Sequence, residues 1–142
     1  MNNSTLSLQV SATEPELDVL ICLNDVNIFQ GKPGVVPQTV KHEFDDSNQE
    51  YTLTIKLSGK TIDHTTVDQL GNIIKDVLVT VSDFRLEDID ISKIVIQQAE
   101  YHHNFNGTQN NIVDSFHGTI GCNGQIIFKF QAPSYLWLLE NM

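Results

Sequence analysis

The chain has 142 residues, a mass of 16.0 kDa and a formal net charge of −10 at pH 7. This length fits one domain that buries about two-thirds of its unfolded surface. The 18 acidic and 8 basic residues disfavour nucleic-acid and membrane partners, because phosphate backbones and anionic lipids bind clustered cations. The apolar fraction of 40% is sufficient for a core, and no apolar run approaches the roughly 20 residues that span a bilayer.

The first residues, Met1 to Thr5, lack the basic start and apolar stretch of a secretory signal. A chain without export is expected to keep Cys22 and Cys122 reduced, and neither belongs to a CxxC pair that would indicate a zinc site. Residues 1–16 are polar and include Pro15, so they are predicted to form a flexible N-terminal arm. Within the arm, Leu6 to Val10 alternates apolar and polar residues and could add a strand to another sheet.

A single domain is predicted over residues 17–142, and its first signal is alternation. Residues 17–23 alternate, Asn24-Asp25 is typical of a hairpin turn, and Val26 to Phe29 is the predicted return strand. The clearest strand is Tyr51 to Leu57, in which every second residue is large and apolar. Its core-facing residues are predicted to be Tyr51, Leu53, Ile55 and Leu57.

The later segments are also rich in β-branched residues. Strands are predicted over residues 73–81 and 89–96, with residues 83–88 forming a short connection or edge strand. Residues 116–120 and 125–130 are predicted to pair, turned by Asn123-Gly124, which favours a type I′ hairpin. About eight short strands with turns between them indicate an all-β fold, an antiparallel, jelly-roll-like β-sandwich.

The C-terminal tail breaks the strand pattern. Ser134 could cap one or two helical turns, or the tail could form a last strand. Five large apolar residues in succession cannot all remain in water, so the tail is predicted to pack partly on its own domain and partly on a neighbouring subunit. These interface residues are Tyr135, Leu136, Trp137, Leu138 and Leu139.

The stretch from residue 62 to residue 91 is the most acidic part of the chain. Calcium prefers six to eight oxygen ligands, and Asp63, Asp68 and Asp76 could supply some of them. The EF-hand pattern is absent, and the alternative interpretation is a solvated face that keeps a sheet edge from pairing with other chains. No cofactor is expected from the sequence, and calcium is the one alternative that these aspartates leave open.

A polar loop follows Tyr101 and contains Phe105, Asn106 and Gln109. Aromatic rings and amides are the groups that stack on sugars and hydrogen-bond to them, so these four residues are candidate glycan ligands. The same composition is common in long hairpin loops.

No pattern of catalytic residues stands out, and a non-enzymatic protein is expected. Asp88 and Asp90 lie on one face of a strand but should point to solvent, where nothing raises the pKa of a carboxyl. His102 and His103 diverge on a strand, although one of them could meet Asp114 and His117 if their strands pair.

Several short motifs together resemble small β-sandwich proteins encoded by tailed phages of marine cyanobacteria, from about Leu17 to the C-terminus. These motifs are Leu57-Ser58-Gly59-Lys60, His64-Thr65, Asp68, Gly71, Asp76, Tyr101, Phe105-Asn106-Gly107-Thr108, Gly118-Thr119, Gly121-Cys122-Asn123-Gly124 and Tyr135-Leu136-Trp137-Leu138-Leu139-Glu140-Asn141.

The resemblance carries no catalytic residue to this chain. It implies a virion structural or accessory component that is made in a bacterial cytoplasm and assembles with itself or with other virion proteins. The strand order and acidic loops also resemble, in general pattern, calcium-dependent carbohydrate-binding β-sandwiches. The alternative function is therefore a calcium-dependent module that recognises a host surface glycan.

Overall fold

The computed structural model describes residues 3–47, 49–61, 65–104 and 110–142, and it shows two antiparallel sheets around one apolar core. The prediction of an all-β antiparallel sandwich is confirmed. The strands are β1 Asn3–Ala12, β2 Asp18–Leu23, β3 Val26–Gly31, β4 Gln38–Asp45, β5 Gln49–Ser58, β6 Thr65–Val67, β7 Ile73–Asp76, β8 Val79–Leu86, β9 Ile89–Asp90, β10 Glu100–His103, β11 Ile112–Ser115, β12 Thr119–Ile120 and β13 Gly124–Ala132. The helices are α1 Ser92–Gln98 and α2 Ser134–Asn141.

The strand count exceeds the predicted eight because several strands are very short. β9 and β12 have two residues each and β6 has three. Segments of this length contain at most one period of an alternating pattern, so the sequence carries no signal for them.

The first sheet has the order β12-β8-β1-β4, with β9 also paired to β8. β1 lies in its centre, and Leu6, Leu8 and Val10 are almost completely buried. The prediction that residues 1–16 form a flexible arm is therefore wrong for residues 3–12. Their alternation did indicate a strand, and the strand pairs with β4 and β8 of its own domain rather than with another sheet.

The second sheet has the order β11-β10-β13-β5-β2-β3. The hairpin of β2 and β3 turns at Asn24, whose φ of 52° is the left-handed conformation that Asn tolerates. The prediction for β5 is confirmed, since every second side chain points into the core. The exposed fractions are 6% for Tyr51, 1% for Leu53, 1% for Ile55 and 2% for Leu57.

Three predictions about later segments are wrong. Residues 83–88 do not form a separate connection or edge strand, because residues 79–86 are β8, which lies between β12 and β1 in the first sheet. Residues 89–96 form the short β9 and then the first part of α1, and Asp90 forms a turn between them by accepting a hydrogen bond from the Ser92 N–H at 2.9 Å. β12 and β13 do not pair with each other: β12 pairs with β8 in the first sheet and β13 with β5 and β10 in the second. Cys122-Asn123 therefore connects the sheets and does not form a hairpin turn.

The tail forms the helix α2, one of the two alternatives that the sequence left open. Ser134 is its first residue and does not cap it. The cap comes from Asp46, whose carboxylate accepts hydrogen bonds from the Ser134 N–H and hydroxyl, both at 2.6 Å. Trp137 of this helix packs edge-on against Phe128 and Phe130, with ring centroids 5.9 and 6.0 Å apart.

Candidate functional site

A groove of about 690 Å³ lies on the outer face of the second sheet, where β5 ends and β13 begins. This volume is within the range of ordinary ligand sites. Four segments line it, from the ends of β5, β10, β11 and β13. The lining residues are Lys56, Leu57, Ser58, Gly59, His102, His103, Asn104, Asn111, Ile112, Val113, Asn123, Gly124 and Gln125.

A row of polar side chains crosses the strands of the groove. Lys56 of β5 is the register partner of Gln125 of β13, and Gln125 is the register partner of His102 of β10. Opposed residues on neighbouring strands project from the same face of a sheet, and the strands are about 4.8 Å apart. The row therefore presents an ammonium, an amide and an imidazole along roughly 10 Å of sheet surface.

The row depends on a close approach of β10 and β13 at Gly124. A Cβ added at Gly124 would overlap the carbonyl oxygen of His102 and would lie 2.9 Å from the Cβ of His103. Only glycine fits at this position, so Gly124 allows His102 to lie beside Gln125.

The buried residue Lys60 fixes the end of the groove that is formed by Asn123. The Lys60 N–H donates to Asn123 Oδ1 at 2.8 Å, and Asn123 Nδ2 donates back to the Lys60 carbonyl at 2.9 Å. The Lys60 ammonium, 2% exposed, contacts Asp76 Oδ1 at 2.5 Å and donates to the carbonyl of Gly121. These bonds hold the Cys122-Asn123 connection against the end of β5.

Tyr101 lies beneath the groove, and the structure does not place it to stack on a ligand. It is 8% exposed, and its hydroxyl donates to the Cys122 carbonyl at 2.6 Å and accepts from the Cys122 N–H at 2.9 Å. Burial raises the pKa of Tyr101 to about 12, so it remains a neutral donor. The predicted role of Tyr101 as an exposed sugar platform is therefore corrected to a support for the Cys122 connection. Phe105, Asn106 and Gln109 lie outside the described residues.

The histidines occupy separate environments. His103 is buried, with its Nε2 2.7 Å from Asp114 Oδ2, so the pairing of β10 with β11 does bring His103 to Asp114 as the sequence allowed. His102 Nε2 is 3.2 Å from Glu100 Oε1 on the outer face. In the part of the chain that the structure describes, no three His, Cys, Asp or Glu side chains cluster as metal ligands would.

The candidate calcium ligands are engaged elsewhere. Asp68 Oδ1 accepts from the N–H groups of Leu70 and Asn72, both at 2.9 Å. The hydrogen bonds from Asn72 are the largest cause that lowers the pKa of Asp68. Asp76 is paired with Lys60, and Asp63 lies outside the described residues.

A second feature is the apolar surface of α2. Trp137 and Leu138 are buried against the domain, whereas the other large residues of the helix face solvent. The exposed fractions are 63% for Tyr135, 47% for Leu136, 77% for Leu139 and 75% for Met142. The tail thus packs on its own domain with one face only. Neither helix in the described ranges is long and apolar enough to cross a membrane.

The sequence did not identify Lys56 and Gln125 as site residues. Lys56 lies between the core residues Ile55 and Leu57, and Gln125 precedes the core residue Ile126, which indicates only that both side chains face solvent. Their juxtaposition depends on the register of β5 with β13, and no local pattern encodes that register.

The fold is similar to that of a solved structure, vCBM60 in complex with galactobiose. The TM-score is 0.51 and the sequence identity is 12%, and the similarity covers 87% of this chain and 96% of the other. At this identity the likeness shows the fold, a β-sandwich also found in a carbohydrate-binding module. No protein-family model matches the chain, and no curated protein matches it.

Proposed function

We propose that this protein binds a glycan, without catalysing a reaction on it, in the groove at the ends of β5, β10, β11 and β13. The row of Lys56, Gln125 and His102 carries the proposal. Sugars are recognised by amides, imidazoles and cations that form directed hydrogen bonds, and these three side chains project from one face. The apolar side chain of Val113, 57% exposed, supplies a surface for the faces of sugar rings.

The similarity to vCBM60 supports the proposal at the level of fold. That protein holds galactobiose on a β-sandwich of the same overall arrangement. A sheet face with an open groove suits an extended oligosaccharide, because a chain of sugars can lie across several strands. Galactobiose is therefore a reasonable first probe for this chain.

Two glutamines of β13 provide a matched test of the site. Gln125 and Gln131 are both exposed and lie six positions apart on the same face, but only Gln125 lines the groove. We expect Gln125→Ala to weaken glycan binding by about three- to tenfold, the effect of losing one hydrogen bond. Gln131→Ala should bind as the unmodified protein does, and calorimetry on glycans selected from an array provides the measurement.

The Gln131→Ala control also shows which result would contradict the proposed site. Equal affinities for the Gln125→Ala and Gln131→Ala variants would place any glycan site elsewhere. Failure of the intact protein to bind any glycan on the array would contradict the proposed function itself. The release of shorter sugars from a bound glycan would contradict the absence of catalysis.

Calcium dependence is a separate prediction. Because Asp68 is engaged by Leu70 and Asn72, and Asp76 by Lys60, we expect millimolar calcium to leave the melting temperature unchanged. A ligand that binds only the folded state raises the melting temperature, so the measurement is thermal unfolding with calcium and with a chelator. A rise with calcium that the chelator reverses would instead indicate a site built around Asp63, Asp68 and Asp76.

The exposed face of α2 favours a second candidate function. We propose that Tyr135, Leu136 and Leu139 form an assembly surface, through which the protein joins a second copy of itself or another virion protein. Contiguous exposed apolar groups are typical of protein–protein contacts, and Tyr is among the residues enriched in them. Under this second proposal, the protein is made in a bacterial cytoplasm and is located in the virion.

Two variants separate assembly from stability. Deleting residues 134–142 should weaken assembly and lower the melting temperature together, because Trp137 and Leu138 are lost from the core. Leu139→Ser should weaken assembly alone, since its side chain faces solvent. Val36→Ser, at a site 79% exposed, is the control. Light scattering measures the oligomeric state, and a truncated protein that keeps both its state and its melting temperature would disprove this role.

A further inference from the structure

The charge of the groove differs from the charge of the whole chain. The protein carries 18 acidic residues and a formal charge of −10, but no residue that lines the groove in the described ranges is acidic. The lining itself therefore supplies no carboxylate to repel an anion, and the nearby carboxylates of Glu100 and Asp114 are in contact with His102 and His103.

Lys56 is the cation of the groove, and its ammonium is not engaged. Lys32, Lys60 and Arg85 each form an ion pair with an aspartate. Within the described part of the chain, no carboxylate or hydrogen-bond acceptor engages Lys56. An exposed, unengaged ammonium beside the Gln125 amide offers both a positive charge and N–H donors to an anion.

From this arrangement we infer that the groove prefers an anionic glycan, one whose sugars carry carboxylates as uronic acids do. The inference rests on the proposed function and specifies its ligand class. A uronate carboxylate contacts Lys56 and Gln125 while the ring hydroxyls of the neighbouring sugar reach His102 across the row. Glu100 Oε1 lies 3.2 Å from His102 Nε2, and Glu100 is not among the residues that line the groove.

The experiment compares two disaccharides that differ only in oxidation at C6. Galactobiose and a linkage-matched digalacturonate are titrated into the intact protein by calorimetry, at low and at high salt. We expect the digalacturonate to bind more tightly, by roughly two- to fivefold, and to lose this advantage at high salt. Lys56→Gln should remove the preference, so that the two disaccharides bind this variant with equal and lower affinity.

Lys129→Gln is the matched control, since Lys129 is also exposed on the outer face of the same sheet but lies outside the groove. It changes the net charge by the same amount and should leave the preference intact. Equal binding of the two sugars, or an equal effect of the two lysine variants, would overturn the anionic preference and leave the glycan proposal standing. Binding of neither these sugars nor any other glycan on an array would overturn both.

Discussion

Replacement of Ile55 by alanine should lower the free energy of unfolding by about 2–5 kcal/mol. Ile55 lies in the middle of β5, between β2 and β13, and is 1% exposed. Removing its methyl groups leaves a cavity that neighbouring strands on both sides prevent from closing. Leu53→Ala should behave similarly, because Leu53 is buried to the same extent on the same face.

Denaturant unfolding measures the loss, and Thr54→Ala is the control from the same strand. Thr54 faces the outer side of the sheet and is partly exposed, so its replacement should cost about 1 kcal/mol or less. A cost below about 1 kcal/mol for Ile55→Ala would show that the inward face of β5 has been assigned to the wrong side.

Replacement of Lys60 by methionine should cost about 3 kcal/mol, near the lower limit for breaking a buried ion pair by removing one partner. The change leaves the Asp76 carboxylate, whose side chain is 22% exposed, without its cation. It also removes the donor to the Gly121 carbonyl. Because the Lys60 ammonium also holds the Gly121 carbonyl, next to the Cys122-Asn123 connection that reaches the groove at Asn123, glycan affinity should fall together with stability.

Lys32→Met provides the comparison, because Lys32 forms an exposed ion pair with Asp18 at 3.5 Å. Both side chains of that pair are more than half exposed, and its loss should cost less than about 1 kcal/mol. Chemical unfolding of both variants gives the two free energies. Equal costs for Lys60→Met and Lys32→Met would mean that the buried pair does not hold the Cys122-Asn123 connection in place.

Local sequence patterns were sufficient to predict an element where the residues of that element alternate clearly or include a typical turn pair. The alternation in residues 51–57 identified β5 and its buried face, and Asn24-Asp25 identified the first hairpin. The same rule failed for residues 89–96, where Asp90 and Ser92 form a helix start inside a run rich in Ile and Val. A short apolar run has a similar composition in a helix and in a strand, so periodicity alone does not distinguish the two in this segment.

Partner choice between distant strands could not be predicted. Asn123-Gly124 is typical of a hairpin turn, but the residues on its two sides enter different sheets. The side chain of Asn123 is instead used on Lys60, which lies 63 positions away in the sequence. The groove therefore depends on contacts between distant segments, which the sequence does not predict. The core depends on alternation within single strands, which the sequence does predict.

The two proposed surfaces do not compete for space. β13 begins at Gly124 in the groove and ends at Ala132, directly before α2. At about 3.4 Å per residue, the eight steps from Gly124 to Ala132 separate the two ends by roughly 27 Å. A copy assembled through Leu136 and Leu139 would therefore leave the groove open to a glycan.

The central position of β1 affects how the chain reaches its native state. Leu6 of β1 is the register partner of Leu86 of β8, which lies 80 residues later in the sequence. At a synthesis rate of about 5–20 residues per second, Leu6 waits roughly 4–16 s for that partner. Tyr51 of β5 waits a similar time for Phe130 of β13.

Both sheets therefore form late in synthesis. Folding should be slow for a domain of this size, because long loops must close before contacts form. Until then β1 is a strand with one exposed apolar face and at most one partner, and such unpaired edges make a nascent chain prone to aggregate.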